Sequence, residues 1–137
     1  MAKDIIHHQV KNALIKDGWT ITDDPLTLEY EHTTVFVDLG AERVIAAERA
    51  GEKIAVEIKS FIARSAIYAI EQALGQYILY VSFLEKIEPE RKLYLAISEP
   101  VYKNIFGKKS IQWLIERNQV ALLVINIIKE EVVEWKN

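Results

Sequence analysis

Apolar positions recur every third or fourth residue at the start of the chain, and every second residue soon afterwards. Over residues 4–16, Ile6, Val10, Ala13 and Leu14 fall on one stripe of a helix. Asp4 is placed to cap that helix and Gly18 to end it. Residues 33–38 alternate as a strand. Residues 44–49 and 54–59 flank Ala50-Gly51-Glu52-Lys53, which reads as a hairpin turn. Ile70, Leu74, Tyr77, Val81 and Leu84 then keep helical spacing, predicting a long helix over about 65–85 that Pro89 breaks. Residues 91–97 read as a strand, 100–106 and 110–117 as short helices around Gly107-Lys108-Lys109, 120–128 as a β-branched strand and 131–135 as a last short one. The order α-β-β-β-α-β-α-β-β predicts an α/β (α+β) fold in which helices flank a mixed central β-sheet. No linker or repeat divides residues 1–137, so one domain is expected.

Two charges interrupt the apolar run Ile54-Ala55-Val56-Glu57-Ile58-Lys59-Ser60-Phe61. Side chains alternate between the faces of a strand. Ile54, Val56 and Ile58 therefore point one way, and Ala55, Glu57 and Lys59 the other. Buried charges are costly unless paired, hydrogen-bonded or bound to metal. The same acid-x-Lys spacing occurs at Glu90-Arg91-Lys92 and Glu134-Trp135-Lys136, but there it straddles a strand start or lies in a charged tail. Only Glu57 and Lys59 sit in a core-like strand between a hairpin and a long helix. A carboxylate beside a lysine suits phosphodiester hydrolysis assisted by Mg²⁺ or Mn²⁺, which take oxygen ligands. A structural ion pair at the strand end is the plainer alternative.

Such chemistry needs a second acid. Asp38 closes an alternating strand before Gly40 and is the first choice, against a plain turn aspartate. Glu48 is the alternative, because a turn centred on Gly51-Glu52 would set Glu48 opposite Ala55 and Ala46 opposite Glu57. Glu42 is the weaker candidate, a loop charge. Gln72, Gln76 and Tyr80 stand four residues apart on the long helix as one polar stripe, with Tyr68 a turn earlier and Gly75 open to close backbone approach. His7 and His8 point about 100° apart on a helix and His32 has no partner at ligand spacing, so all three read as surface or packing residues. Trp19, Trp113 and Trp135 read as core or interface anchors.

The net charge of -3 denies the chain a global basic field, so contact with nucleic acid needs a local patch. Lys86, Arg91, Lys92, Lys103, Lys108 and Lys109 are the candidates. The absence of cysteine excludes disulfides and thiolate metal sites. Neither end reads as a signal peptide and no apolar run reaches the ~20 residues of a membrane span, so a cytoplasmic protein is expected.

This order, with an acid, an acid-x-Lys strand and a Gln-x-x-x-Tyr helix, resembles the PD-(D/E)xK restriction-endonuclease-like fold. More narrowly, Val37-Asp38-Leu39-Gly40-Ala41-Glu42, the run 54–61 and Ala73-Leu74-Gly75-Gln76-Tyr77 resemble the XisH family, the fdxN element excision controlling factors of cyanobacteria. The resemblance implies a protein acting in programmed excision of a DNA element during heterocyst differentiation, beside a site-specific recombinase and a XisI-like companion. It implies Asp38 and Glu57 as metal-binding acids, Lys59 as the catalytic lysine, and Gln76 and Tyr80 as their supports. The 18 residues between Asp38 and Glu57 exceed what a simple hairpin needs, which keeps Glu48 in contention. A non-catalytic regulatory subunit working through the companion is the alternative function. A homo-oligomer, taken as a dimer, is the expected assembly, because half of the residues are hydrophobic and the last strand is short.

Overall fold

The computed structural model describes residues 6–35, 44–62 and 65–137, with backbone alone at 44 and 45. Helix α1 (His7–Lys16) buries Val10, Ala13 and Leu14 and ends where Gly18 takes a φ of 94°. Strands β1 (Thr20–Asp23), β2 (Leu28–Tyr30) and β3 (Thr33–Val35) follow. The hairpin β4 (Val44–Arg49) and β5 (Glu52–Ile58) leads to the long helix α2 (Ala66–Ile87). Strand β6 (Lys92–Ser98), helices α3 (Glu99–Asn104) and α4 (Lys109–Arg117), and strands β7 (Leu122–Asn126) and β8 (Glu131–Lys136) complete the chain. Six strands form one sheet in the order β1-β4-β5-β6-β7-β8, and β2 and β3 form a separate ribbon. The β5–β6 and β6–β7 pairs are parallel and the other pairs antiparallel, so the sheet is mixed as expected.

Alternation along β5 sorts its side chains between two cores. Ile54, Val56 and Ile58 join Tyr94, Ala96, Leu123 and Ile125 under α1. Ala55 joins Leu93, Leu95, Ile97 and Leu122 under Ile70, Ala73, Tyr77, Tyr80 and Leu84 of α2. Residues 93–97 are all buried, the continuous run expected of a parallel strand covered on both faces. Ser65 caps α2 by accepting a hydrogen bond from the Tyr68 N–H at 3.2 Å. The Tyr77 hydroxyl donates to the Leu93 carbonyl and accepts from the Ala121 N–H, each at 3.0 Å. It thereby joins α2 to β6 and to the residue before β7. Arg91 is buried, pairs with Glu88 through two nitrogens at 2.9 and 3.1 Å, and donates to the Ile54 carbonyl at 3.0 Å. It belongs to the frame of the sheet, not to a basic surface patch.

The elements depart from the sequence reading at three points, and two expectations fall outside the described residues. Strands β1 and β2 were not anticipated, because each is short and carries too few apolar residues to show a period; β1 is held by pairing to β4 and β2 by buried Leu28. The expected strand 33–38 is described only to Val35, and Asp4, the expected cap of α1, also lies outside the described residues. The strand expected from 120 begins at Leu122, since the Val120 N–H closes the end of α4 on the Ile115 carbonyl at 3.0 Å. The hairpin turn is centred on Ala50 (φ 50°) and Gly51 (φ 82°), with Arg49 opposite Glu52. Two-residue hairpin turns with both central residues left-handed favour glycine second.

Gly75 departs from expectation too. It is exposed, and a Cβ added there would meet nothing within 4 Å, so no strand approaches it. Its conformational freedom in the unfolded chain is then a pure cost. Gly75→Ala is expected to stabilise the protein by about 0.5–1 kcal/mol. A thermal melt showing a lower midpoint for the variant would overturn this.

Candidate active site at the end of strand β5

Glu57 is the penultimate residue of β5, and Lys59 follows its last residue. The Lys59 N–H donates to the Ala96 carbonyl at 3.1 Å and so carries the parallel ladder one step further. Glu57 is 1% exposed and Lys59 4%. Both point toward α2, on the face expected from the alternation. The Lys59 ammonium donates to Gln76 Oε1 at 2.5 Å. Tyr80, one turn further along α2, is buried on the same side. Burial pushes the Tyr77 hydroxyl pKa up, its bond with the Ala121 N–H lowers it, and the nearby charge of Glu57 raises it again. The carboxylate of Glu57 is thus felt at Tyr77, on the inner face of α2.

The stripe expected on α2 is only partly inward. Four residues turn a helix through about 400°, so each step of four drifts some 40° around the axis. Gln72 accordingly lies in solvent, donating to the Tyr68 hydroxyl at 3.0 Å; Gln76 is half-buried and Tyr80 is buried. Of the stripe, Gln76 and Tyr80 therefore turn toward the inner side of α2, with Gln72 and Tyr68 outside.

Among the candidate second acids, Asp38 and Glu42 lie outside the described residues. The observed register sets Glu48 opposite Lys53 and Val44 opposite Glu57, where the sequence reading had Glu48 opposite Ala55. Glu48 shares the face of Glu57 but sits four residues back along the hairpin, about 13 Å at the rise of a strand. It is too far to share an ion with Glu57, and the reason is the turn centred one residue earlier than expected. The histidines behave as packing or surface residues. His7 lies 3.0 Å from Asp24 Oδ2 and Lys11 2.8 Å from the same oxygen, while His8 and His32 are exposed. Burial raises the Asp24 carboxyl, but Lys11 and His7 together outweigh it and hold the group below its ordinary pKa. Among the described residues, no three His, Asp or Glu side chains come together as a metal site.

Two features near the site were not legible in the sequence. Phe61, two residues past Lys59, has a left-handed backbone (φ 57°), a costly conformation for a bulky residue that turns the chain away from the sheet. Its ring meets Phe106 edge-on at 5.3 Å, which joins the end of β5 to the end of α3. Trp19 and Trp135 are core residues in contact at 5.7 Å, but Trp113 stands 60% exposed on α4. Among the described residues, no helix is long and apolar enough to cross a membrane.

A family model described as XisH protein matches residues 1–133. An XisH family protein from Nostoc punctiforme PCC 73102 is 44% identical to this chain. The match covers 98% of this chain and 100% of that one, with a TM-score of 0.90. An fdxN element excision controlling factor protein from Anabaena variabilis is 45% identical over the same shares, also with a TM-score of 0.90. Among curated proteins, none matches.

Proposed function

The chain belongs to the XisH family, and from that premise we propose that it acts on DNA in controlled excision of an element, through a metal-dependent nuclease site of PD-(D/E)xK type. The observation that carries this reading is the buried Glu57–Lys59 strand end, with the lysine held by Gln76 at 2.5 Å. A lysine ordered in this way is poised for chemistry on an anion, because its side-chain freedom has already been lost.

The donor chemistry fits a hard divalent cation. Glu57 offers carboxylate oxygens in a sheltered position, and Asp38 is six residues from Val44, which stands opposite Glu57. Six residues span up to about 20 Å, ample to bring the second acid to the strand end. Glu57 and Asp38 would hold Mg²⁺ or Mn²⁺, which when bound lowers the pKa of water and offsets charge on a phosphodiester. Lys59 donates to the phosphate oxygens as charge builds on them, and Gln76 keeps its ammonium aimed. Water oxygen adds to phosphorus as it gives up a proton to solvent, the bond to the ester oxygen breaks, and the leaving oxygen takes up a proton from solvent. Tyr80 closes the helix side of the site.

One observation favours a second reading, a regulatory subunit without turnover. Two exposed apolar pairs, Ile67 with Tyr68 and Ile78 with Leu79, stand on the outer face of α2, and exposed apolar surface of this kind marks interaction sites. A XisI-like companion or a second copy of the chain would cover it, with a recombinase supplying strand exchange. Calorimetric titration of Mg²⁺ and Mn²⁺ into the wild type and Glu57→Gln, with DNA cleavage followed on the same samples, separates the two. Under the nuclease reading the wild type binds metal and cleaves, and the variant loses both while melting normally. A wild type that neither binds metal nor cleaves would replace this reading with the regulatory one.

A further inference from the structure

We propose that the outer face of α4, with the turn leading into it, is the surface that holds the phosphate backbone of DNA beside the Glu57–Lys59 site. The placement beside a working site rests on the nuclease reading; the surface itself does not. Helix α4 turns Ile111 into the core. Lys109, Trp113 and Arg117, spaced by four, therefore lie on its opposite side, with the exposed Glu116 at the edge of the same face. All three are exposed, and the Arg117 guanidinium lies 5.8 Å from the centre of the Trp113 ring. A large ring left in water between two cations offers stacking and charge together, the combination that binds a nucleic-acid strand without reading its sequence.

The surrounding charges extend this face. Lys103 and Lys108 are exposed just before α4. Residues 99–117 carry four basic side chains (Lys103, Lys108, Lys109 and Arg117) against two acidic ones (Glu99 and Glu116), in a chain whose net charge is -3. The segment is thus a local positive island on an acidic protein, matched in sign to a polyanion.

The fold also ties this island to the site. Phe106, two residues before Lys108, packs on Phe61, two residues after Lys59. The turn between them is drawn tight, since a Cβ on Gly107 would lie 2.4 Å from the Lys103 carbonyl oxygen. The Gln112 side chain donates to the Gly107 carbonyl at 3.3 Å and holds the turn against α4. The Phe61–Phe106 contact ties the start of α4, at Lys109, to the end of β5, and the track continues through Trp113 to Arg117, about 12 Å farther along the helix.

Fluorescence anisotropy with labelled duplex and single-stranded oligonucleotides tests this, using the Glu57→Gln protein so that cleavage does not interfere. Binding is expected to weaken steeply from 50 to 200 mM salt, with a log–log slope of about -0.9 per phosphate contacted in a duplex and about -0.7 in a single strand. The Lys109→Gln, Arg117→Gln double variant should lose about 1.5–2 units of that slope on a duplex and at least about tenfold in affinity. Trp113→Ala should weaken single-strand binding by at least about fivefold. Wild-type affinity and slope in the double variant, or no DNA binding at all, would overturn the proposal. Salt-dependent binding lost in the double variant, alongside a wild type that never cleaves, would support the surface and remove the nuclease reading. Cleavage that depends on Glu57 with DNA binding indifferent to Lys109 and Arg117 would remove the surface and keep the nuclease.

Discussion

Lys59→Met is expected to lower the rate of metal-dependent DNA cleavage at least about a hundredfold at saturating substrate, with little change in DNA affinity. A donor aimed at charge that develops in the transition state contributes to the rate and hardly to ground-state binding. Lys59 meets the conditions for such a donor: it is almost fully buried and its ammonium is fixed by Gln76 Oε1. Methionine keeps a similar unbranched shape without the charge, so packing under α2 is largely retained. Gln76→Ala should have a smaller effect, about tenfold, because it frees the ammonium without removing it. Cleavage rates and thermal melts on the same preparations separate loss of chemistry from loss of fold. A Lys59→Met protein that cleaves at the wild-type rate would remove Lys59 from the mechanism.

The largest expected effect on stability lies at Tyr77. Phenylalanine there keeps the ring but leaves the Leu93 carbonyl without its donor and the Ala121 N–H without its acceptor. An unsatisfied buried polar group costs about 1–3 kcal/mol, so the pair should cost about 2–6 kcal/mol, a fall in melting temperature on the order of 10–20 °C. The titration of Tyr77 adds a pH signature. Burial, aided by the charge of Glu57 and opposed by the Ala121 N–H, raises its folded pKa above the ordinary value of 10.0. Above pH 10 the unfolded chain gives up that proton first, so wild-type stability falls as pH rises toward and through the folded pKa. The stability gap between wild type and Tyr77→Phe should therefore be full below pH 10 and narrow above it. Urea midpoints at pH 8 and pH 10.5 read this directly, and a gap that widens with pH would contradict the assignment.

Much of the candidate site is a local property of the chain. Glu57 and Lys59 share a face with Ala55, and Ile54, Val56 and Ile58 share the other, because strands have a period of two. The presence of a polar stripe on the long helix was equally visible. Its direction was not, because the drift of 40° per four residues decides which member meets the lysine, and only packing sets the zero of that rotation. The exclusion of Glu48 likewise depended on a turn shift of one residue, which moves a partner by two positions along the hairpin.

By itself, the sequence determined the elements with strong periods, the side chains that share each face, and the isolation of one charged pair in an apolar strand. It also sufficed for the resemblance to the XisH family, which the whole-chain comparisons bear out. Tertiary structure alone decided that β6 lies on the other side of β5 from its hairpin partner, that the weakly patterned β1 extends the sheet, and that Tyr77 bridges Leu93 and Ala121. It also decided that Phe61 meets Phe106 and that Trp113 faces solvent. The reason is physical. Periodicity records how a residue is oriented on its own element, over a few neighbours. Which distant element it faces is settled by burial of both faces of the sheet at once, a property of the whole chain and of no single segment.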